Sequence, residues 1–153
     1  MEMHQVYLGL GTNLGDKEAN LKAAIEEIRK RIGEITSLSA FYASEPWGFE
    51  SENSFLNAVC SVTTDFSPME VLHLTQDIER SLGRLKKSVG GQYSDRLIDI
   101  DILLYDDWHI DTPELTIPHP LMWERDFVMI PLREIAPDIN AETLGIKRGN
   151  ICP

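Results

Sequence analysis

Two aspartates one residue apart, Asp99 and Asp101, interrupt an otherwise apolar, β-prone run from Leu97 to Tyr105. In a strand, residues i and i+2 stand on the same face, with Cα atoms roughly 6.6 Å apart. Two ionised carboxylates held that close repel unless a cation lies between them, and a pair of Mg²⁺ ions is the usual partner of such a site in phosphoryl chemistry. The alternative is the polar, solvent-facing side of an edge strand. Neighbouring cations favour the metal reading. Lys and Arg are absent between Arg31 and Arg80, a stretch with eight acids, whereas Arg80, Arg84, Lys86, Lys87 and Arg96 fall within seventeen residues that hold one acid, Asp95. This cationic loop runs directly into the aspartate strand. Arginine forks beside a metal-binding carboxylate pair suit a polyphosphate; otherwise the loop is a solvated basic segment that balances an acidic surface.

Other residues offer weaker chemistry. His119 lies between Pro118 and Pro120, which stiffen its backbone, and can donate a hydrogen bond to a phosphate, although a lone histidine is as readily structural. Phe55, Asn57, Trp47 and Phe127 can form a flat aromatic slot with an amide to read a planar heterocycle, or they belong to the core. Gly9, Gly11 and Gly15 have the wrong spacing for a dinucleotide-binding loop, and a strand-to-helix turn accounts for them. Cys60 and Cys152 are far apart and indicate neither a disulfide framework nor a thiolate metal site.

The elements that must position these residues follow from periodicity and punctuation. A strand at Val6 to Leu10 enters a turn in which Asn13 or Asp16 caps a helix of about Asp16 to Ile32, with Gly33 as its left-handed stop. Short β-prone residues span Ile35 to Ala43, and Ser44 to Asn53 reads as a long loop. Phe55 to Thr63 alternates, with Leu56, Ala58, Cys60 and Val62 on the core face and Phe55, Asn57, Val59 and Ser61 on the other. Ser67-Pro68-Met69-Glu70 is a capping box that starts a second helix, which ends at Gly83 and sets Gln76 near Glu79. In the aspartate strand, Ile98, Ile100, Ile102 and Leu104 share the face opposite Asp99 and Asp101. Strand, helix, strand, strand, helix, strand is the βαββαβ order of a ferredoxin-like α+β sandwich: an antiparallel sheet with helices on one face and the other free for a site. Weak helical signals at Trp123 to Met129 and Leu132 to Ala136 add short C-terminal elements.

Composition bounds the rest. A chain of 153 residues, 42% hydrophobic, suits one domain over 1–153, with 138–153 as a loosely attached tail. A net charge of -11 repels nucleic-acid backbones and anionic membranes. No apolar run reaches the roughly 18 residues of a membrane span, and Met1 to Gln5 has no secretory-signal character, so a cytoplasmic protein is expected. No apolar surface stripe is left over, so the expected state is a monomer.

Taken together, Gly9-Leu10-Gly11-Thr12-Asn13-Leu14-Gly15, Phe55-Leu56-Asn57-Ala58, Gln76-Asp77-Ile78-Glu79 with Gly83-Arg84, Asp95-Arg96-Leu97-Ile98-Asp99-Ile100-Asp101-Ile102, and Ile117-Pro118-His119-Pro120 followed by Arg125 and Phe127 are distinctive in order and spacing. The chain resembles the 6-hydroxymethyl-7,8-dihydropterin pyrophosphokinases of folate biosynthesis, up to about Asp138. The resemblance implies transfer of pyrophosphate from ATP to the pterin alcohol, with small-molecule substrates and no nucleic-acid or membrane partner. It implies that Asp99 and Asp101 hold two Mg²⁺ ions and that Arg84 and Arg96 neutralise charge during transfer. Gln76, Glu79, Lys86, Ile102, Thr116, His119 and Arg125 are implied nucleotide contacts. For the pterin, Asn57 would read the ring edge, Phe55 and Phe127 would sandwich the ring, and the loop carrying Ser44, Pro46, Trp47 and Gly48 would close one side.

The chain departs from the commonest family pattern at four places. Gly91-Gln92-Tyr93-Ser94-Asp95-Arg96 replaces a Trp-Gly-Pro-Arg run and makes the loop about two residues longer. Phe55 stands for a tyrosine, Pro120 for an aromatic residue and Lys86 for an arginine. A rival reading of the same residues is a non-catalytic nucleotide- or pterin-binding module.

Overall fold

The protein is described here by a computed structural model, which covers residues 3–44, 55–83 and 98–137. Strand β1 (His4–Thr12) leads through a turn into helix α1 (Lys17–Arg31). Gly15 takes the left-handed conformation there, φ 65°, and the Asp16 side chain accepts a hydrogen bond from the Ala19 N–H at 3.2 Å. Strands β2 (Glu34–Leu38), β3 (Tyr42–Ser44) and β4 (Phe55–Thr64) follow. Helix α2 (Pro68–Gly83) opens with the expected reciprocal box: the Ser67 N–H donates to Glu70 Oε1 at 2.8 Å, and the Glu70 N–H donates to Ser67 Oγ at 3.2 Å. After β5 (Asp99–Tyr105), β6 (Ile110–Asp111) and β7 (Thr116–Ile117) form a short ribbon. A 3₁₀ turn (Met122–Glu124) then precedes helix α3 (Asp126–Ile135).

The main sheet runs β2-β4-β1-β5 with every pairing antiparallel, and β3 adds to the Phe55–Asn57 part of β4. This is the ferredoxin-like α+β arrangement, with β1 and β4 central and β5 at one edge. Val6, Leu8, Leu10, Ala58, Cys60 and Val62 turn toward α1 and α2, where Leu21, Ile25, Ile28, Val71 and Ile78 complete the larger core. Cys60 is part of this core, and burial pushes its thiol pKa up to about 12. Among the described residues, no helix is long and apolar enough to cross a membrane.

The second face of the sheet is only partly open. Val59, Leu103 and Leu104 pack there against Met122 and against Val128, Met129 and Leu132 of α3. The two separate helical signals near the C-terminus are thus a 3₁₀ turn and one helix that continues through Pro131. Pro131 forfeits one backbone hydrogen bond, and burial of the apolar residues on either side of it outweighs that loss.

Two further expectations are corrected. A register shift between Tyr7 and Leu8 of β1, opposite Leu104 and Ile102 of β5, turns Leu104 to the α3 side. Tyr105 then takes the next place in the larger core and donates its hydroxyl to the Phe66 carbonyl at 2.7 Å. Gly33 is not left-handed. It is required because the chain leaves α1 hard against β4, so that a Cβ at position 33 would stand 2.0 Å from the Thr63 carbonyl oxygen. Alanine for glycine at an unstrained site ordinarily stabilises by about 0.4–1 kcal/mol. Gly33→Ala is expected to reverse that sign and destabilise by about 1–3 kcal/mol, as overpacking does, measured by the urea midpoint; an unchanged or raised midpoint would contradict the close approach.

Candidate active site

Directly opposed residues of antiparallel strands share a face, so the register of β1 with both neighbours defines the site. Gly11 lies opposite Asn57 of β4 on one side and Asp99 of β5 on the other. Two residues back, Gly9 lies between Val59 and Asp101. The centre of the sheet therefore carries no side chain where its flanks carry an amide and two carboxylates. These residues line one cleft with Ser44, Phe55, Arg125 and Phe127. Asn57 and Asp99 are two inter-strand spacings apart, about 10 Å.

On the β4 side, Asn57 Nδ2 donates to the Tyr42 carbonyl at 3.2 Å and to Ser44 Oγ at 2.8 Å. Both acceptors belong to β3, where Tyr42 opposes Asn57 and Ser44 opposes Phe55. Across the cleft, at the start of α3, the Arg125 guanidinium lies 5.5 Å from the centre of the Phe127 ring. Phe55 and Phe127 both face the cleft, with the Asn57 amide beside them.

On the β5 side, the strand's outer edge is covered by two elements. The Ile100 N–H donates to Glu79 Oε2 of α2 at 2.7 Å, and the His119 N–H donates to the Leu103 carbonyl at 3.0 Å. Glu79 and His119 thus flank the same strand that carries the aspartates. The Leu121 N–H donates to His119 Nδ1 at 3.2 Å, which leaves Nε2 to carry the proton of the neutral ring. Burial holds the imidazole below its ordinary pKa, the Arg125 charge lowers it further, and the Asp99 charge opposes both. His119 is therefore a neutral N–H donor at the edge of the cleft at neutral pH.

The donor set suits a hard cation. Among the described residues, no three His, Cys, Asp or Glu side chains gather into a cage of their own. Two carboxylates on one wall of an open cleft match Mg²⁺, which binds through one or two carboxylates and completes its shell with water and substrate phosphates.

Residues 7–137 match the family model described as 7,8-dihydro-6-hydroxymethylpterin-pyrophosphokinase. The chain belongs to this pyrophosphokinase family. It is 53% identical over 138 residues to the 2-amino-4-hydroxy-6-hydroxymethyldihydropteridine pyrophosphokinase of Porphyromonas gingivalis, covering 90% of this chain and 94% of that one. The enzyme of the same description from Bacillus subtilis is 38% identical over 137 residues, covering 89% of this chain and 80% of the relative. The crystal structure of wild-type Plasmodium falciparum HPPK-DHPS with pterin and p-hydroxybenzoate shares the fold, with a TM-score of 0.71 at 17% identity over 91% of this chain. This chain spans 40% of that longer protein.

Of the site residues that the pyrophosphokinase resemblance implied, the structure gathers Ser44, Phe55, Asn57, Asp99, Asp101, Arg125 and Phe127 in the cleft, with Glu79 and His119 at its β5 edge. Gln76 is exposed one turn before Glu79, and Thr116 is half-buried in β7, which leads to His119. The Ile102 side chain is buried in the larger core, so its backbone is what remains for a ligand. Pro46, Trp47, Gly48, Arg84, Lys86 and Arg96 lie outside the described residues, as does the Gly91-to-Asp95 departure.

Sequence reasoning missed Gly9 and Gly11. Only Gly15 serves the turn in the way expected of all three; the other two sit inside β1 and form the cleft floor. The signal is there in the chain, because glycines at i and i+2 in a β-prone run strip one strand face of side chains. Sequence also gave no sign that the Glu79 carboxylate would meet the Ile100 N–H.

The His119 environment sets a direction for its titration. Its midpoint in the free protein is expected below the ordinary histidine value of about 6.5, followed by NMR of the imidazole. Arg125→Met should move it up. Because the unfolded ring binds its proton more readily, this group's contribution to stability is present above about pH 6.5 and is lost as the pH falls below it. A midpoint at or above 6.5, or one insensitive to Arg125→Met, would contradict this reading.

Proposed function

We propose that this chain transfers the β,γ-pyrophosphoryl group of ATP to the hydroxyl of 6-hydroxymethyl-7,8-dihydropterin, giving AMP and the pterin diphosphate of folate biosynthesis. The observation that carries this reading is the pair of rungs Asn57–Gly11–Asp99 and Val59–Gly9–Asp101, which puts the Asn57 amide and two carboxylates on opposite sides of two glycines in one cleft. Family membership supports it, and relatives named as pyrophosphokinases favour transfer over a non-catalytic binding module.

The pterin ring would lie between Phe55 and Phe127, with its polar edge on Asn57, and with Ser44 at the end of β3 and the following Pro46, Trp47 and Gly48 contributing to one side. Its hydroxymethyl group then points across the glycines toward Asp99 and Asp101. The hydroxyl oxygen bonds to the β-phosphorus, the bond from that phosphorus to the α,β-bridging oxygen breaks, AMP leaves with that oxygen, and the hydroxyl proton is released. Alignment and charge neutralisation supply most of the acceleration in such a transfer. Asp99 and Asp101 would hold Mg²⁺, with two ions proposed; bound there, the metal neutralises phosphate charge and polarises the reacting oxygens.

Arg84 and Arg96 would meet the charge that develops on the transferred group. Gln76, Glu79, Lys86, the Ile102 backbone, Thr116, His119 and Arg125 would hold the nucleotide, His119 as a donor from Nε2. The proposed working state is a cytoplasmic monomer whose partners are ATP and the pterin. Its net charge of -11 is unsuited to nucleic acid or an anionic membrane.

Phosphorus NMR of a mixture with Mg-ATP and the pterin alcohol tests the reaction. AMP and a pterin diphosphate without ADP are expected, and ADP or unchanged ATP would overturn it. Asp101→Asn should lower kcat at least about 100-fold while the protein stays folded, as checked by circular dichroism. Retained turnover would remove the metal assignment.

A further inference from the structure

The Asn57 amide has a defined orientation, and its cause lies partly on the neighbouring strand. Tyr42 offers a carbonyl oxygen, which accepts and cannot donate, so the group facing it at 3.2 Å is the amide nitrogen. The second hydrogen of that nitrogen goes to Ser44 Oγ at 2.8 Å. Both donors are thereby spent on β3, and Oδ1 is the atom left to address a ligand. On its other side Oδ1 faces Gly11, close enough that a Cβ built on that glycine would stand 3.0 Å from it. Asn57 is buried, at 4% exposure, so it has little room to retreat. A side chain at position 11 would press on the oxygen from one side while Tyr42 and Ser44 hold the nitrogen from the other.

We infer that Gly11 and Ser44 are positioning residues that present the Asn57 oxygen, as an acceptor only, to a donor N–H or amino group on the heterocycle edge. Gly11 does this by lacking a Cβ, and Ser44 by accepting the hydrogen that would otherwise leave the amide able to turn over. The site then selects a ring edge that donates. An edge that offers only acceptors meets the Asn57 oxygen with repulsion and an unmet hydrogen bond. The inference rests on the proposed pterin role of Asn57 and adds to it the polarity of the contact and the residues that set it. Alanine at position 11 does not strain the backbone, because Gly11 has no positive φ.

The test is calorimetric binding of 6-hydroxymethyl-7,8-dihydropterin in the presence of Mg²⁺ and α,β-methylene ATP, whose bridge cannot break in this reaction. Gly11→Ala and Ser44→Ala should each weaken pterin binding by about tenfold, the loss of one well-placed hydrogen bond. Affinity for the ATP analogue should stay within about twofold of the wild type. Ser44→Thr, which keeps the hydroxyl, should restore most of the pterin affinity. Asn57→Ala is the reference. If it binds pterin normally, the proposed role of Asn57 is wrong and the positioning claim falls with it. If Asn57→Ala is impaired while Gly11→Ala and Ser44→Ala bind like the wild type, the positioning claim alone is overturned. Equal losses for pterin and for the ATP analogue would also overturn it, because general distortion would then be the cause.

Discussion

The register of β1 between β4 and β5 is the constraint on which the rest of the molecule depends. Side chains alternate along a strand, so one register sends Val6, Leu8 and Leu10 into the core beneath α1 and α2 and leaves Gly9 and Gly11 on the opposite face. A slip of one residue would bury the glycines and fill the cleft with leucine. Core packing therefore fixes the site: the same apolar residues that hold the sheet on its helices hold Asn57 opposite Gly11 and Gly11 opposite Asp99. The geometry of the cleft is a by-product of a hydrophobic pattern, which is why it needs no dedicated scaffold.

The second face shows how the fold closes around that floor without covering it. The register shift near Leu104 sends Leu103 and Leu104 to the same side, and they anchor Met122 and α3 at one end of the sheet. At the other end Gly9 and Gly11 line the cleft, and Arg125 and Phe127 at the start of α3 form its border. Glu134 of the same helix accepts from the Ala40 N–H, with oxygens at 3.1 and 3.2 Å, and so ties α3 to the segment just before β3. β3 in turn holds the Asn57 amide. One C-terminal helix thus buries the far half of the face, borders the cleft and steadies the strand that orients its amide.

Much of this is legible in the chain. Asp99 with Asp101 and Phe55 with Asn57 are pairs at i and i+2 in β-prone runs, and period-two alternation by itself puts each pair on one face. The capping box at the start of α2 and the strand order follow from equally local rules. What escapes such rules has a common cause. Gly9 and Gly11 act through missing atoms, so they carry no chemical signature of their own. Gly33 answers to the Thr63 carbonyl, distant in sequence, which no local rule contains. Leu103 and Leu104 are chemically identical, so their pattern cannot reveal a bulge. Pro131 breaks helices locally and so divides the α3 signal in two, whereas burial against the sheet decides its state.

The central claim is that one floor holds the pterin on the Asn57 side and the metal on the aspartate side, with two bare glycines between them. Paramagnetic relaxation measures this directly, using Mn²⁺ in place of Mg²⁺, α,β-methylene ATP, and pterin labelled with carbon-13 at both the ring C2 and the hydroxymethyl carbon. Much faster relaxation is expected at the hydroxymethyl carbon than at C2, since the ring edge on Asn57 lies about two strand spacings, roughly 10 Å, from the aspartates. Equal relaxation at the two carbons, or faster relaxation at C2, would contradict it.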